Sequence, residues 1–249
     1  MPFADLRTQT LTGLRLSVPD RGAWGSLSEV FITRIYEPFF ARLEDVRGWV
    51  DLGCNNGFFS FGLLDHLACA ISQPLRTRAL LGDASETCVR LAREAIRVNQ
   101  LADCWDCQHV VVGPPGAMVT FTQCKDSVHS TILPRRHGQR TFRYATTDLH
   151  ALWHRQQGVF DLVKIDIEGA ERFLFKHYTA LLGQFRFGLC EWHAPEFDGA
   201  AMRGWLHQTG WETVEMRSQT AGWDPCRGHS WESPLGMVLW HNASPMKAA

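Results

Sequence analysis

The stretch VDLGCNNGFFS, residues 50–60, decides the fold of this chain. An apolar run over residues 48–52 carries Asp51 near its end and breaks into a glycine loop, and an apolar segment resumes at Phe58. This order predicts a strand, a tight turn and a helix. In α/β folds such a unit surrounds a ligand with backbone N–H groups and side chains. The loop is therefore the first candidate for a binding site.

Apolar runs alternate with amphipathic segments along the rest of the chain. After the strand at 48–52, the pattern predicts further strands at 78–83, 108–113, 159–167 and 185–193, and helices near 57–69, 86–101, 147–158, 169–182 and 199–208. Two last strands, 211–218 and 236–242, have no helix between them. The alternation predicts an α/β fold with a mostly parallel sheet, and the last pair predicts one antiparallel strand near its edge.

The N-terminal residues differ from this alternation. Residues 1–45 are predicted to form a cover segment, and residues 46–249 the main part of a single domain. Within the cover, 11–19 is predicted to form a short strand pair. Residues 26–43 have near-helical apolar spacing that Pro38 interrupts.

The middle of the chain has a second irregular region. Residues 117–122 alternate well enough for a strand and are predicted to pair as a hairpin with the strand at 108–113. The polar residues 123–147 are predicted to form a long loop, and loops of this length are often functional. Asp126, Ser130 and Thr131 make this loop a candidate lid over the site.

Composition limits the classes of partner. The chain has 249 residues, 45% apolar and 20% charged, with a net charge of −1. A near-neutral chain lacks the basic footprint of a nucleic-acid-binding protein, and no apolar run approaches the about 20 residues that span a bilayer. We therefore expect no nucleic-acid partner and no membrane partner, and the sequence does not indicate an oligomeric state.

The cysteines and the N-terminus predict a cytoplasmic protein with reduced thiols. Eight cysteines are scattered along the chain, and the start MPFADLRTQT lacks the basic and apolar regions of a secretory signal. The stretch CWDC, 104–107, has the spacing of a redox or zinc half-site, but no second half follows. We interpret it as a loop before a strand.

The glycine loop does not fit a dinucleotide. In the GxGxxG fingerprint the three glycines let the backbone approach a pyrophosphate, but here Asn55 and Phe58 stand at the second and third positions. A carboxylate such as that of Asp51 is unfavourable beside a pyrophosphate. It suits S-adenosylmethionine, which carries a sulfonium and an ammonium group and no phosphate.

Two further acids occupy equivalent positions. Asp83 ends the next strand, where an acidic residue reaches ribose hydroxyls in such folds, and Asp166 lies near the end of the strand at 159–167. The carboxyl ends of parallel strands meet at one edge of a sheet. We therefore expect Asp51, Asp83 and Asp166 to surround one ligand.

The chain closely resembles the FkbM-type methyltransferases. VDLGCNNGFFS and DLVKIDIEGAE (161–171) carry the resemblance, which spans about residues 18–193 with support from EVFITRIYEPF (29–39), VVVGPPGAMVTFT (110–122) and FGLCEWH (187–193). These are class I S-adenosylmethionine-dependent enzymes, mostly O-methyltransferases of sugars, polyketides and other natural products. The resemblance implies a Rossmann-like seven-stranded sheet of order 3-2-1-4-5-7-6, with the last strand antiparallel and helices on both faces.

The resemblance also implies an activity and cofactor contacts. The activity would be methylation of a hydroxyl on a sugar, a glycan or another small natural product. Asp51, Gly53, Asn55 and Gly57 would hold the methionine end of S-adenosylmethionine, Asp83 the ribose, and the chain around Gly113 would lie near adenine.

On the acceptor side, an alcohol must lose its proton to a base or to a metal-activated site. His193 is the first candidate base and His129 the next, and Asp166 and Glu168 are the other candidate catalytic residues. Glu168 also fits an ordinary acid at a helix N-terminus. Asp166, Glu168 and Glu191 are the candidate ligands of a divalent cation such as Mg²⁺.

Three other functions stay open at this stage. An amine acceptor needs less from a base than an alcohol, so N-methylation of a small molecule is the first alternative. A non-catalytic S-adenosylmethionine-binding module is the second. A nicotinamide oxidoreductase is the third, and the interrupted glycine fingerprint argues against it.

Overall fold

A computed structural model describes residues 6–43, 45–71, 77–123, 140–155, 160–219 and 231–245. The strands are β1 (Leu6–Gln9), β2 (Arg15–Val18), β3 (Gly48–Leu52), β4 (Arg78–Asp83), β5 (Trp105–His109), β6 (Met118–Gln123), β7 (Arg140–Ala145), β8 (Leu162–Ile165), β9 (Phe187–His193), β10 (Glu212–Gln219) and β11 (Leu235–His241). The helices are α1 (Arg21–Leu27), α2 (Glu37–Phe40), α3 (Phe58–Ile71), α4 (Glu86–Val98), α5 (Leu149–Arg155), α6 (Glu171–His177), α7 (Thr179–Leu182) and α8 (Gly199–Thr209), and a π-helical segment, Ser28–Ile32, follows α1.

Seven strands form the central sheet, in the order β10-β11-β9-β8-β3-β4-β5. Strands β5, β4, β3, β8 and β9 pair in parallel, whereas β11 is antiparallel to both of its neighbours. Numbered along the chain and read from the β5 edge, this is the order 3-2-1-4-5-7-6. The predicted fold class and strand order are confirmed.

Strand β3 lies at the centre of the sheet and is buried along its whole length. Its side chains alternate between two cores, because successive residues of a strand point to opposite faces. Trp49 packs with the cover, α3 and α4, and Val50 packs on the other face with residues of α5 to α8. Helices on both faces explain why the strand is apolar throughout.

Glycines opposite tryptophans join β9 to β11. Gly188 pairs with Trp240 and Gly236 with Trp192 across this antiparallel ladder. A Cβ atom at Gly188 would lie 1.9 Å from the Trp240 ring, and one at Gly236 would lie 2.2 Å from the Trp192 ring. Each indole therefore covers the space that the missing side chain leaves.

The structure corrects the predictions for the middle of the chain. Strand β5 begins at Trp105, so Cys107 lies within the strand and not in a loop before it, and the strand ends before 110–112. Strand β6 pairs with β7, and not with β5 as the predicted hairpin required. Strand β7 lies inside the stretch 123–147 that was predicted as a loop. The candidate lid residues and His129 fall within 124–139, outside the described residues.

The cover has a strand pair and an interrupted helix, but the strand pair is shifted from its predicted place. Strand β1 lies wholly upstream of the predicted segment 11–19, and only its partner β2 falls inside it. The carboxylate of Asp20 caps α1 by accepting the backbone N–H of Ala23 at 2.8 Å. Pro38 lies in the first turn of α2, where its missing N–H costs no helical hydrogen bond. The single helix predicted at 169–182 is also two helices, separated at Tyr178.

Within the described ranges, none of the helices combines the length and the apolarity that crossing a bilayer requires.

Candidate active site

A cavity of about 350 Å³ opens at the carboxyl ends of the parallel strands. Its wall combines the glycine loop after β3, the ends of β4, β8 and β9, and part of the cover. The volume falls within the range of small-molecule sites. Open parallel sheets bind their ligands at this edge, so the cavity is the candidate active site.

Gly53 holds the glycine loop against β8. Its backbone has φ +76°, and a Cβ atom there would lie 1.6 Å from the Asp166 carbonyl oxygen. The backbone N–H groups of Gly53 and Cys54 both donate to the Gly82 carbonyl, at 2.9 and 3.1 Å. The loop therefore joins the ends of three strands, and no side chain fits at position 53.

Asn55 connects the loop to the cover. It adopts φ +50°, a left-handed conformation that asparagine tolerates better than most residues. Its side-chain Nδ2 donates to Ser26 Oγ at 3.4 Å, and both residues line the cavity.

Asp51 lies beneath the loop and does not line the cavity. It is fully buried, and its Oδ2 accepts a hydrogen bond from Ser60 Oγ at 2.7 Å. Its Oδ1 lies 3.2 Å from Lys164 Nζ, which also lies 3.3 Å from Asp166 Oδ2 and donates to the Gly53 carbonyl at 2.8 Å. Direct contact between Asp51 and a ligand, as predicted, therefore does not fit its position, because its paired lysine, Lys164, lines the cavity and Asp51 does not.

Burial alone would lower the pKa of Lys164, but the charges of Asp51 and Asp166 raise it above its usual range. The lysine is therefore a permanent cation between two carboxylates.

Asp83 lines the cavity at the end of β4, as predicted. Its two carboxylate oxygens accept backbone N–H groups of Asn55, at 2.8 Å, and Ser85, at 2.7 Å. Burial raises the pKa of Asp83, and these two hydrogen bonds oppose the rise. Each carboxylate oxygen can accept a second hydrogen bond, so Asp83 keeps the capacity to bind hydroxyls.

Two other predicted cofactor residues do not reach the cavity. Gly57, with φ +84°, packs beside Leu81 and Phe61, and Gly113 packs beside Thr146. Val110 and Val112 line the cavity in this region instead. Their apolar side chains, and not the predicted Gly113, form the part of the cavity wall that follows β5.

His193 lies at the end of β9 and is held by a buried acid. Its Nδ1 lies 3.0 Å from Oε1 of Glu171, which is fully buried and also accepts the backbone N–H of Ile167. Its Nε2 lies 3.8 Å from Asp166 Oδ1 and 4.0 Å from Glu191 Oε1.

Burial lowers the pKa of His193, but the hydrogen bond to Glu171 and the charges of Glu171, Glu191 and Asp166 raise it to about 10. At neutral pH the imidazole therefore already holds its second proton. This charge state does not fit the predicted role of His193 as the first base, because a protonated imidazole has no free lone pair.

Two further acids of the wall have raised pKa values. Burial, together with Asp166, raises the pKa of Glu191 to about 8, although His193 opposes the rise. Although Glu29 as a whole residue is exposed, desolvation of its carboxyl group in the cavity wall, with a further contribution from Asp166, raises its pKa to about 6. Glu29 lies in the cover and was not among the predicted site residues, although it begins the EVFITRIYEPF stretch.

The candidate metal ligands are only partly brought together. Among the described residues, Asp166, Glu168 and His193 offer atoms within 4.8 Å of one another, so that His193 takes the place predicted for Glu191. Asp166 is already paired with Lys164, and His193 with Glu171. A divalent cation would have to compete with Lys164 and His193 for these carboxylates.

Glu168 follows β8 and lines the cavity. Its φ of +53° is uncommon for a residue other than glycine, and Gly169 continues the left-handed turn with φ +93°. This turn separates Asp166 from α6 and directs the chain around the cavity.

Comparison with solved structures supports the fold. A Streptococcus pneumoniae protein, provisionally assigned as a tRNA (m1A22) methyltransferase and solved with S-adenosyl-L-methionine, has 12% sequence identity and a TM-score of 0.52, over 88% of this chain and 76% of that one. An uncharacterized protein from Listeria monocytogenes serotype 4b has 10% identity and a TM-score of 0.50, over 87% and 70% of the two chains. At these identities the likeness extends to the fold alone.

Comparison of sequences identifies the family. No curated protein has a significantly similar sequence. Residues 68–212 match the model of the methyltransferase FkbM domain. The match starts after the glycine loop, whereas the resemblance in the sequence began near residue 18. The matched stretch includes DLVKIDIEGAE and covers more than half of the 249 residues. The chain therefore belongs to the FkbM methyltransferase family.

Proposed function

We propose that the protein transfers the methyl group of S-adenosylmethionine to a hydroxyl of a sugar, a glycan or another small natural product. The observation that carries the proposal is the cavity itself, in which Asp83 and the glycine loop lie at one side and Asp166, Glu168 and Glu191 at the other. The carboxylates suit the sulfonium and ammonium groups of the cofactor.

Each part of the cofactor has a complementary part of the wall. Asp83 would accept hydrogen bonds from the ribose hydroxyls, and Val110 and Val112 would cover adenine. The loop around Gly53 and Asn55 would hold the methionine end. That a Streptococcus pneumoniae protein of the same fold was solved with S-adenosyl-L-methionine supports the choice of cofactor.

The bound cofactor supplies an electrophilic methyl group. The chain's own contribution is to position the acceptor in line with the carbon–sulfur bond, to exclude water and to accept the hydroxyl proton. The net charge of −1 favours a small or glycan acceptor over a nucleic acid.

Calorimetric titration with S-adenosylhomocysteine, with NADH as the control ligand, tests the cofactor. We expect micromolar binding to the wild type, and at least tenfold weaker binding to Asp83→Asn, which keeps the shape of the side chain but loses its charge. Asp103→Asn, at an exposed acid outside the cavity, is the matched control and should bind as the wild type does. Preference for NADH, or equal binding to both variants, would contradict the proposal.

N-methylation is the second candidate function. The acids of the cavity outnumber Lys164 and His193, the cations that pair with them, and an excess of carboxylates suits a cationic amine. An acceptor screen that pairs neutral sugars with the corresponding amino sugars distinguishes the two. Methyl ether formation on the neutral sugars supports the hydroxyl acceptor, and methylamine products alone would replace it.

A further inference from the structure

We propose that Glu29 is the general base that takes the proton from the acceptor hydroxyl, and that Tyr36 positions this hydroxyl beside it. The inference rests on the proposed function and deepens it by naming the acceptor side of the site. Both residues belong to the cover and lie upstream of residues 68–212, the stretch that matches the family. The family match therefore gives them no role.

The cover forms one wall of the cavity. Ser26, Glu29, Val30 and Tyr36 line it together with residues at the ends of β8 and β9. Glu29 belongs to the π-helical segment that follows α1, and π-helical turns recur at functional sites. Any molecule that enters between the cover and the sheet therefore meets these side chains.

Tyr36 has a polar group without a partner. Its side chain is 6% exposed, and its ring packs against Phe40 and edge-on against Phe59, with centroids 6.0 and 5.2 Å apart. Among the described residues its hydroxyl has no hydrogen-bond partner, and it is not one of their fully buried unpaired polar atoms. The hydroxyl is therefore accessible from the cavity that Tyr36 lines. A hydroxyl that lines a cavity without a partner is therefore placed to bind a polar atom of the acceptor.

Glu29 has the carboxylate that is best placed to accept a proton. It lines the cavity and forms no ion pair within the described part of the chain. The titratable and charged groups that interact with it electrostatically are Tyr36 from the cover, Asp166 and Lys164 from the end of β8, and Glu191 from β9. With a pKa of about 6, it is largely ionised at neutral pH and still basic enough to take a proton, as an efficient base must be.

The other acids and bases of the wall are committed elsewhere. His193 is hydrogen-bonded to Glu171 through Nδ1, and its Nε2 lies 4.0 Å from Glu191. Asp166 is paired with Lys164, and Glu168 also has a partner. Of these acids of the wall, Glu29 is thus the one without an ion pair to the described residues.

The proposed step conserves atoms and charge. The acceptor O–H bond breaks and its proton passes to the Glu29 carboxylate, while the oxygen lone pair forms a bond to the methyl carbon. The carbon–sulfur bond breaks, and its electron pair stays on sulfur. The products are the methyl ether, S-adenosylhomocysteine and protonated Glu29, which returns its proton to water.

The test compares Glu29→Gln, which is isosteric and cannot accept the proton, with Glu37→Gln. Glu37 lies in the same cover, contacts His66 at 3.3 Å and does not line the cavity. We expect the wild type, Glu29→Gln and Glu37→Gln to bind S-adenosylhomocysteine with affinities within twofold of one another. With an acceptor from the sugar screen, kcat should fall at least about 100-fold in Glu29→Gln only. The acidic limb of the wild-type pH profile should disappear in that variant.

Two further variants complete the experiment. Tyr36→Phe should raise the KM for the acceptor about tenfold with a smaller change in kcat, because it removes a positioning group. Wild-type kcat in Glu29→Gln, or loss of the acidic limb in Glu191→Gln instead, would overturn the assignment. If the wild type itself does not bind S-adenosylhomocysteine, the proposed function fails first, so the two failures are distinguishable.

Discussion

Lys164 is the residue on which the architecture of the site depends. It is almost fully buried, and its ammonium group lies between Asp51 and Asp166 and donates to the Gly53 carbonyl. Taking a charge out of water is costly unless a partner is present. The lysine therefore connects a buried acid, the glycine loop and the end of β8 in one electrostatic unit.

Replacing Lys164 by methionine should destabilise the protein strongly. The substitution fills similar space but leaves the carboxylate of Asp51 buried without its cation, and breaking a buried pair in this way costs about 3–5 kcal/mol. Urea unfolding followed by circular dichroism measures the change. Lys176→Met, at an exposed lysine of α6, is the control and should change stability by at most about 0.5 kcal/mol. Equal midpoints for the two variants would show that the buried pair contributes little.

His193 also shows that position does not determine role. Its place at the end of β9 is the predicted one, but Glu171 beneath it converts a candidate base into a cation. We interpret His193 as a fixed positive charge that organises Asp166 and Glu191 around the cavity.

At the scale of elements, the glycine loop is the unit that joins three strands. Gly53 and Gly116 both have positive φ, +76° and +70°, but their surroundings differ. A Cβ atom at Gly53 would overlap the Asp166 carbonyl, whereas one at Gly116 would meet open space. An alanine at Gly116 therefore meets only the cost of the left-handed backbone, whereas an alanine at Gly53 also meets a steric clash.

Gly53→Ala should abolish S-adenosylhomocysteine binding, because the loop must move away from β8 to admit the methyl group. Gly116→Ala should keep wild-type binding and lose only about 1–2 kcal/mol of stability, the cost of a left-handed conformation with a side chain. Calorimetry and thermal unfolding of both variants provide the measurements. Full binding by Gly53→Ala would mean that the loop is not held against β8 as the distances indicate.

The cover is the second element that matters for function. Asn55 of the loop donates to Ser26 of the cover, and Glu29 and Tyr36 face the ends of β8 and β9. The site thus forms between an N-terminal segment and a sheet whose central strands follow it in the chain.

At the scale of the whole molecule, the charges of the cavity make stability depend on pH. The pKa values of Glu29, Glu191 and His193 are raised to about 6, 8 and 10, from ordinary values of 4.5 for the two acids and 6.5 for the histidine. Between the ordinary and the raised values, the folded protein holds more protons than the unfolded chain. Its stability therefore decreases as pH rises through this window.

We expect the free energy of unfolding to decrease by about 1–3 kcal/mol between pH 6 and pH 9. The contribution of His193 is fully present below pH about 6.5 and disappears as pH rises through about 10. Urea midpoints across this range test the sign. Glu191→Gln, which carries no ionisable proton, should flatten the profile. A midpoint that rises with pH would contradict the charge states assigned to the cavity.

Much of the fold follows from local pattern. Apolar strands that end in acids, glycine at the first turn and two final strands without a helix were sufficient to predict a mostly parallel sheet with an antiparallel strand near its edge, and the place of Asp83. The order of the strands came from the family resemblance. Strand β7 was missed because most of its side chains are exposed. An exposed strand has no buried alternating face for a pattern to reveal.

The sequence by itself determined the family, through its motifs, and the mostly parallel sheet with the edge at which we expect a ligand, because the sheet depends on periodicity and on the residues that end strands. Only the tertiary structure decided which side chains face the cavity and what charge they carry. Asp51 lies beneath the loop, buried acids around His193 raise its pKa, and Glu29 and Tyr36 of the cover line the cavity. Burial and pKa depend on partners that are distant in the chain, and no local pattern encodes those distances.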